Sequence, residues 1–291
     1  MTDHKFEEKY YQSQDGLKLY YRDYGSPSDK AEVMLCLPGL TRNSRDFAHV
    51  AEQFQPYFRV ICVEQRGRGK SEYDPNPANY LPPIYVQDMF TLLKELSVES
   101  FHAFGTSLGG LMTMLMQGAM PGVVKTAIIN DIGPEIDPAG IERIRGYVGE
   151  TEPMDSWDHA VDEMKKMAGD VFPRFNDQQW RSFANQIFAE KDGKIVLDYD
   201  PGLADTFKSA DTQQAAPNLW PLFDHMKSVP LMIIRGETSD ILSQKTVDEM
   251  ADVHPDMATV LVPEVGHAPI LDEPECVEAF DQWAKRFGVT A

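Results

Sequence analysis

The chain predicts an α/β protein, with a mostly parallel eight-stranded sheet, helices on both faces and a helical cap inserted into it. Three observations lead there. Short apolar runs that end near Gly or Pro alternate with stretches of helical spacing, the pattern of a sheet wrapped by helices. The alternation stops near residue 134 and resumes near residue 227. At its centre stands FGTSLGG, residues 104–110, where glycines crowd one serine between a strand pattern and a helix pattern.

In chain order, KFEEKYYQSQ and LKLYYRDYG flank the turn signal Asp15-Gly16 and read as a hairpin. VMLCLPG (33–39) is a buried strand feeding a loop, and DFAHVAEQF (46–54) has helical spacing. FRVICVEQRGRGKS (58–71) is a strand followed by a glycine-rich turn, and IYVQDMFTLLKELSV (84–98) is an amphipathic helix. SFHAFG is a strand, SLGGLMTMLMQGAM a helix apolar nearly all round, and VVKTAIIND another strand. After the interruption, VPLMIIRGE and ATVLVPEVG are strands, and TVDEMADVH and EPECVEAFDQWAKRF are helices. The division is therefore a core of residues 1–133 and 227–291 and a helical cap, or lid, of residues 134–226. The cap shows helical patterns and no convincing buried strand. It is rich in aromatics (Tyr147, Trp157, Phe172, Phe175, Trp180, Phe183, Phe188, Tyr199, Phe207, Trp220 and Phe223), which either form its own core or line an apolar pocket.

Composition narrows the class. A chain of 291 residues that is 42% hydrophobic can bury a substantial core, which argues against disorder. The opening MTDHKFEEKY lacks a basic start and an apolar run, so no secretory signal is expected, and no stretch is apolar for long enough to span a membrane. Three cysteines (Cys36, Cys62 and Cys276) with no metal spacing read as buried thiols in a reducing compartment, so a cytoplasmic location is expected. The formal net charge of −19 argues against nucleic acid and anionic membranes as partners and reads as a solvated acidic surface.

The serine carries the chemistry. Ser107 falls where a strand ends and a helix begins, the edge at which open parallel sheets bind ligands. A sharp strand-to-helix turn lifts its apical side chain above the sheet and requires small neighbours two places to either side, which Gly105 and Gly109 supply. A serine hydroxyl needs a base, and the base needs an orienting acid. Of the seven histidines, only His267 follows a strand and a glycine at the same sheet edge. His4 is terminal, His49, His102 and His254 lie within elements, and His159 and His225 belong to the insertion. Two acids end strands at that edge. Asp240, on the longer loop Gly236 to Leu242, is the expected partner, and Asp131 the fallback. The oxyanion donors are expected to be the backbone N–H groups of Leu108, just after the serine, and Leu40, in the loop after VMLCLPG.

Together Pro38-Gly39-Leu40, EQRGRGKS (64–71), the serine turn, Asp240 and His267 resemble the α/β-hydrolase superfamily over nearly the whole chain, and within it the capped carboxylesterase, lactonase and carbon–carbon hydrolase group. The resemblance implies a Ser-His-Asp triad, an oxyanion hole and a cap between the sixth and seventh core strands. Pro38-Gly39 replaces the usual His-Gly, whose histidine braces the oxyanion loop, and Glu64 replaces the usual aspartate of the Asp-x-Arg-Gly-x-Gly turn. That turn reads as structural, with Gly67 and Gly69 setting backbone geometry and Arg66 and Ser71 pairing locally. Relatives that use an elbow aspartate, haloalkane dehalogenases and epoxide hydrolases, are excluded by Ser107.

The expected activity is hydrolysis of carboxylic esters or lactones of small to medium, largely apolar substrates, with no cofactor and no metal, by a monomer or homodimer. A carbon–carbon hydrolase of the meta-cleavage-product type is the alternative within the same chemistry. LPGLTRNS has one glycine, against the glycine-rich oxyanion loop of those relatives. A ligand receptor on the hydrolase fold is the alternative of another class.

Overall fold

A computed structural model describes residues 6–28, 30–149, 151–209 and 218–288. Residues 150 and 210–217 of the insertion and the chain ends lie outside the described residues, as do the Phe207 side chain and His4. The elements run β1 (Glu7–Gln12), β2 (Lys18–Asp23), β3 (Val33–Leu37), α1 (Ala48–Phe54), β4 (Arg59–Val63), α2 (Pro82–Glu95), β5 (Phe101–Thr106), α3 (Leu108–Ala119) and β6 (Val124–Asn130). The insertion follows as α4 (Pro138–Tyr147), α5 (Trp157–Ala168), α6 (Asp177–Ile187), β7 (Phe188–Lys191), β8 (Lys194–Leu197), α7 (Leu203–Ser209) and α8 (Trp220–Phe223). The chain then returns through β9 (Leu231–Gly236), α9 (Gln244–Val253), β10 (Met257–Val262) and α10 (Pro274–Phe287).

Eight strands form the main sheet in the order β1-β2-β4-β3-β5-β6-β9-β10. The β1–β2 and β2–β4 pairs are antiparallel and the others parallel. The expected mostly parallel eight-stranded sheet is thus the one found. Side-chain alternation builds two cores from it. Leu35, Leu37, Ile61, Val63, Ala103 and Ile129 face the layer of α2, α3 and α9. Met34, Cys36, Val60, Cys62, Phe104 and Ile128 face that of α1 and α10. In the second layer Phe104 meets Phe280 edge-on, ring centroids 5.2 Å apart, so α10 closes the fold by locking onto the central strand.

The insertion has its own core, in which Phe172, Trp180, Phe183 and Phe188 pack with Met154, Val161 and Met164. Phe172 stacks on Phe175 at 4.5 Å. Trp220 and Phe223 instead pack with the α3 side of the main core. The insertion also contains a short, largely uncovered hairpin beside its helices. β7 and β8 pair antiparallel with Phe188 opposite Leu197, joined by Asp192 and Gly193 at φ 53° and 76°. Positive φ at both loop residues is the tight hairpin geometry that Asp-Gly favours. That dipeptide was the available signal, and strands of four residues amid helices hid it.

Candidate active site

The chain between β5 and α3 turns at Ser107, whose φ of 51° and ψ of −112° put a non-glycine residue in a strained conformation. The neighbouring glycines are sterically required. A Cβ on Gly109 would lie 1.9 Å from the Leu37 carbonyl oxygen, and one on Gly105 would lie 2.4 Å from the Gly109 backbone. The turn is pinned by the Ser107 N–H, which donates to Asn130 O at 2.8 Å. The Ser107 side chain does not cap α3, which leaves Oγ to face His267.

His267 Nε2 lies 2.9 Å from Ser107 Oγ, and His267 Nδ1 lies 2.8 Å from Asp131 Oδ2. Asp131 follows β6 at φ 59° and is fully buried. The Gly236 N–H donates to its Oδ1 at 3.0 Å and Ser239 Oγ to its Oδ2 at 2.6 Å. Asn130 Nδ2 donates to Pro269 O at 2.9 Å, tying the His267 loop to the end of β6.

The expected pairing of Asp240 with His267 is corrected by this geometry. Asp240 accepts two hydrogen bonds from the Arg143 guanidinium, Nε at 2.5 Å and Nη2 at 2.8 Å. The Arg143 guanidinium holds the Asp240 carboxyl below the usual carboxylate range. The physical reason lies in strand order. β6 stands between the serine strand β5 and β9, so an acid ending β6 reaches an imidazole turned toward Ser107. The acid on the β9 loop meets α4 of the insertion instead. Ser239, which fixes the Asp131 carboxylate, went unrecognised in the sequence because nothing local marks a serine one loop away as its partner.

The Leu40 and Leu108 N–H groups, expected as oxyanion donors, have no protein acceptor among the described residues. The loop that carries Leu40 is braced from the β4 turn. Buried Arg68 donates Nε to Leu40 O at 2.8 Å, Gln65 Nε2 reaches Pro38 O at 3.3 Å, and the Arg42 N–H donates to Gly39 O at 3.2 Å. The Arg68 and Gln65 side chains hold the loop where the usual histidine is absent. Glu64 takes the Ser44 hydroxyl and the Lys70 N–H, each at 2.6 Å, and burial pushes its carboxyl up. Arg66 pairs with Asp15, Asp74 and Asp88, and the Ser71 hydroxyl donates to Glu64 O, so this turn is structural scaffolding.

A cavity of about 160 Å³ opens above Ser107 and His267. The core contributes Leu40, Thr106 and Pro269 to its wall, and the insertion contributes Met164, Val171 and Ile187. Of the insertion aromatics, Tyr147, Phe172, Phe183 and Tyr199 line it. Two cations, Arg42 and Arg143, line it too. Among the described residues no His, Cys, Asp and Glu cluster could hold a metal ion.

The fold and this site define a hydrolase built on a doubly covered α/β sheet. The chain belongs to the alpha/beta hydrolase family, whose model matches residues 34–279. It is 34% identical over 264 residues to the 3-hydroxybutyrate-oligomer hydrolase of Cupriavidus necator, covering 88% of this chain and 89% of that protein. It is 26% identical over 255 residues to the 2-(acetamidomethylene)succinate hydrolase of Mesorhizobium japonicum, covering 86% and 85%. Among solved structures, an alpha/beta hydrolase from Novosphingobium aromaticivorans is 43% identical and superposes with a TM-score of 0.91 over 97% of this chain and 98% of that one. No helix among the described residues is long and apolar enough to cross a membrane.

Proposed function

We propose that this protein is a carboxylic ester hydrolase that works through an acyl-enzyme on Ser107. The observation that carries this reading is the unbroken hydrogen-bond chain from Ser107 Oγ through His267 to Asp131. His267 Nε2 takes the serine proton as Oγ attacks the ester carbonyl. Asp131 keeps the proton on Nδ1 and stabilises the imidazolium that forms. The Leu40 and Leu108 N–H groups hold the oxyanion, and His267 then protonates the departing alcohol. Water, deprotonated by the same imidazole, releases the acid and restores Ser107.

The insertion acts as the cap. It supplies the apolar wall of the cavity, which fits an acyl or alkyl body of small to medium size. The likeness to a 3-hydroxybutyrate-oligomer hydrolase supports short hydroxyacyl esters as the substrates to try first. The test is a panel of p-nitrophenyl esters and 3-hydroxybutyrate dimers and trimers assayed with wild type and Ser107→Ala. Turnover that vanishes with the serine is expected. Wild-type rates in Ser107→Ala, or turnover confined to vinylogous ketones, would overturn the reading.

A further inference from the structure

We propose that Arg143, in a cavity that Arg42 and Tyr147 also line, binds a free carboxylate on the substrate, so that the enzyme prefers esters carrying an acid group to their neutral counterparts. The inference rests on the ester-hydrolase reading of the same cavity.

A guanidinium lining an apolar cavity is costly to place unless it is held or used. Here two line the cavity that contains Ser107 and His267, in a chain whose net charge is −19. Each is fixed by a carboxylate, and the one that holds Arg42, Asp46, lines the cavity too. Asp240 grips Arg143 through Nε and Nη2. Asp46 grips Arg42 through the same two nitrogens, both at 2.7 Å, and Gln186 Oε1 accepts from Arg42 Nη2 at 3.2 Å. Arg42 also lies over the Phe183 ring, 4.7 Å from its centroid. In both arginines the carboxylate occupies the Nε edge, and neither Nη1 donates to a carboxylate. Arg143, held along that edge, is set to receive a planar anion along the other, whereas Arg42, whose Nη2 also donates to Gln186, offers Nη1 alone.

Tyr147 completes the group. It lines the same cavity, and burial pushes its phenol up while the charges of Arg143 and Arg42 act in the opposite sense. Met164, Val171, Phe172 and Ile187 give the wall an apolar stretch, while Asp46 and Gln186 line it beside Arg42. An ester with a short apolar body and a carboxylate at one end matches this division better than the largely apolar substrate expected from the aromatic content of the insertion. Arg143 comes from α4 of the insertion and Asp240 from the core, so the insertion positions the cation that selects the substrate.

The experiment compares matched esters that differ only in charge. One pair is the p-nitrophenyl monoester of adipic acid against p-nitrophenyl hexanoate, with the charge on the acyl side. The other is 3-acetoxybutyrate against 3-acetoxybutyramide, with the charge on the alcohol side. The acid member of at least one pair is expected to have a kcat/KM roughly tenfold higher or more, the scale of one charge-assisted hydrogen bond. The preference should collapse in Arg143→Gln and return in part in Arg143→Lys. A wild-type ratio at or below one in both pairs, or a ratio unchanged in Arg143→Gln, would overturn the proposal. Calorimetric titration of monomethyl adipate and dimethyl adipate into Ser107→Ala reads the subsite without turnover and without altering the arginine. Tighter binding of the acid supports it, and equal binding overturns it. Absence of turnover on every ester would sink the ester reading alone, since this titration still decides the subsite.

Discussion

Asp131 Oδ2 stands 2.8 Å from His267 Nδ1, while Asp240 gives both carboxylate oxygens to Arg143. The two aspartates therefore have separable roles. Asp131→Asn should lower kcat on the order of 10⁴-fold, because an amide can donate to Nδ1 and so favour the wrong tautomer. Asp240→Asn should cost ~10-fold or less on a neutral ester, since the partly exposed pair it breaks lies outside the proton path. Steady-state kinetics of the two variants on one p-nitrophenyl ester checks this, and the reverse ranking would return the acid role to Asp240.

Gly109 faces the Leu37 carbonyl too closely for any side chain. Gly109→Ala should force β3 and α3 apart and destabilise the protein by at least ~1–3 kcal/mol, the usual cost of overpacking. Denaturant unfolding measures this. Near-wild-type stability would mean that the elbow is looser than its geometry implies.

Arg68 holds Leu40 O, Arg66 O and the Tyr85 hydroxyl at once. Lysine cannot reach all three, because its three donors sit on one atom. Arg68→Lys should thus let the oxyanion loop drift and lower kcat by ~10-fold or more, with a smaller change in KM, since a whole oxyanion donor is typically worth ~10²–10³. A change confined to KM would assign Arg68 to binding instead.

Asp15 is lowered to about 2 by its hydrogen bond to Arg66. A folded-state value below the unfolded one contributes stability above the unfolded value, and that contribution is lost as pH falls through the folded one. The gap in urea midpoint between wild type and Asp15→Asn should accordingly be present at neutral pH and shrink as pH drops from about 4 to about 2. Because Asp15 is half exposed, solvent screening keeps the gap small. A gap that widens on acidification would contradict the pairing.

The parallel sheet, the elbow and the histidine were legible because each leaves a local mark: apolar runs, paired glycines, and a histidine after a strand end. The acid was legible only as a choice between Asp131 and Asp240. Both end strands at the right edge, and the longer loop favoured Asp240, the one that strand order and Arg143 draw away. The brace on the loop that carries Leu40 was hidden for a related reason. Arg68 and Gln65 act across 28 and 27 residues of sequence, a distance that no local pattern spans. The β7–β8 hairpin did carry a local signal, Asp192-Gly193, which the surrounding helical spacing obscured.

The account rests on Ser107 as the nucleophile, and trapping the acyl-enzyme tests that most directly. Wild type is mixed with an excess of p-nitrophenyl butyrate, quenched in acid within milliseconds and digested, and the peptide spanning FGTSLGG is weighed by mass spectrometry. The account predicts a butyryl adduct on Ser107 that forms with a burst of p-nitrophenol and is absent from Ser107→Ala. Steady turnover with no adduct, or an adduct on another residue, would contradict it.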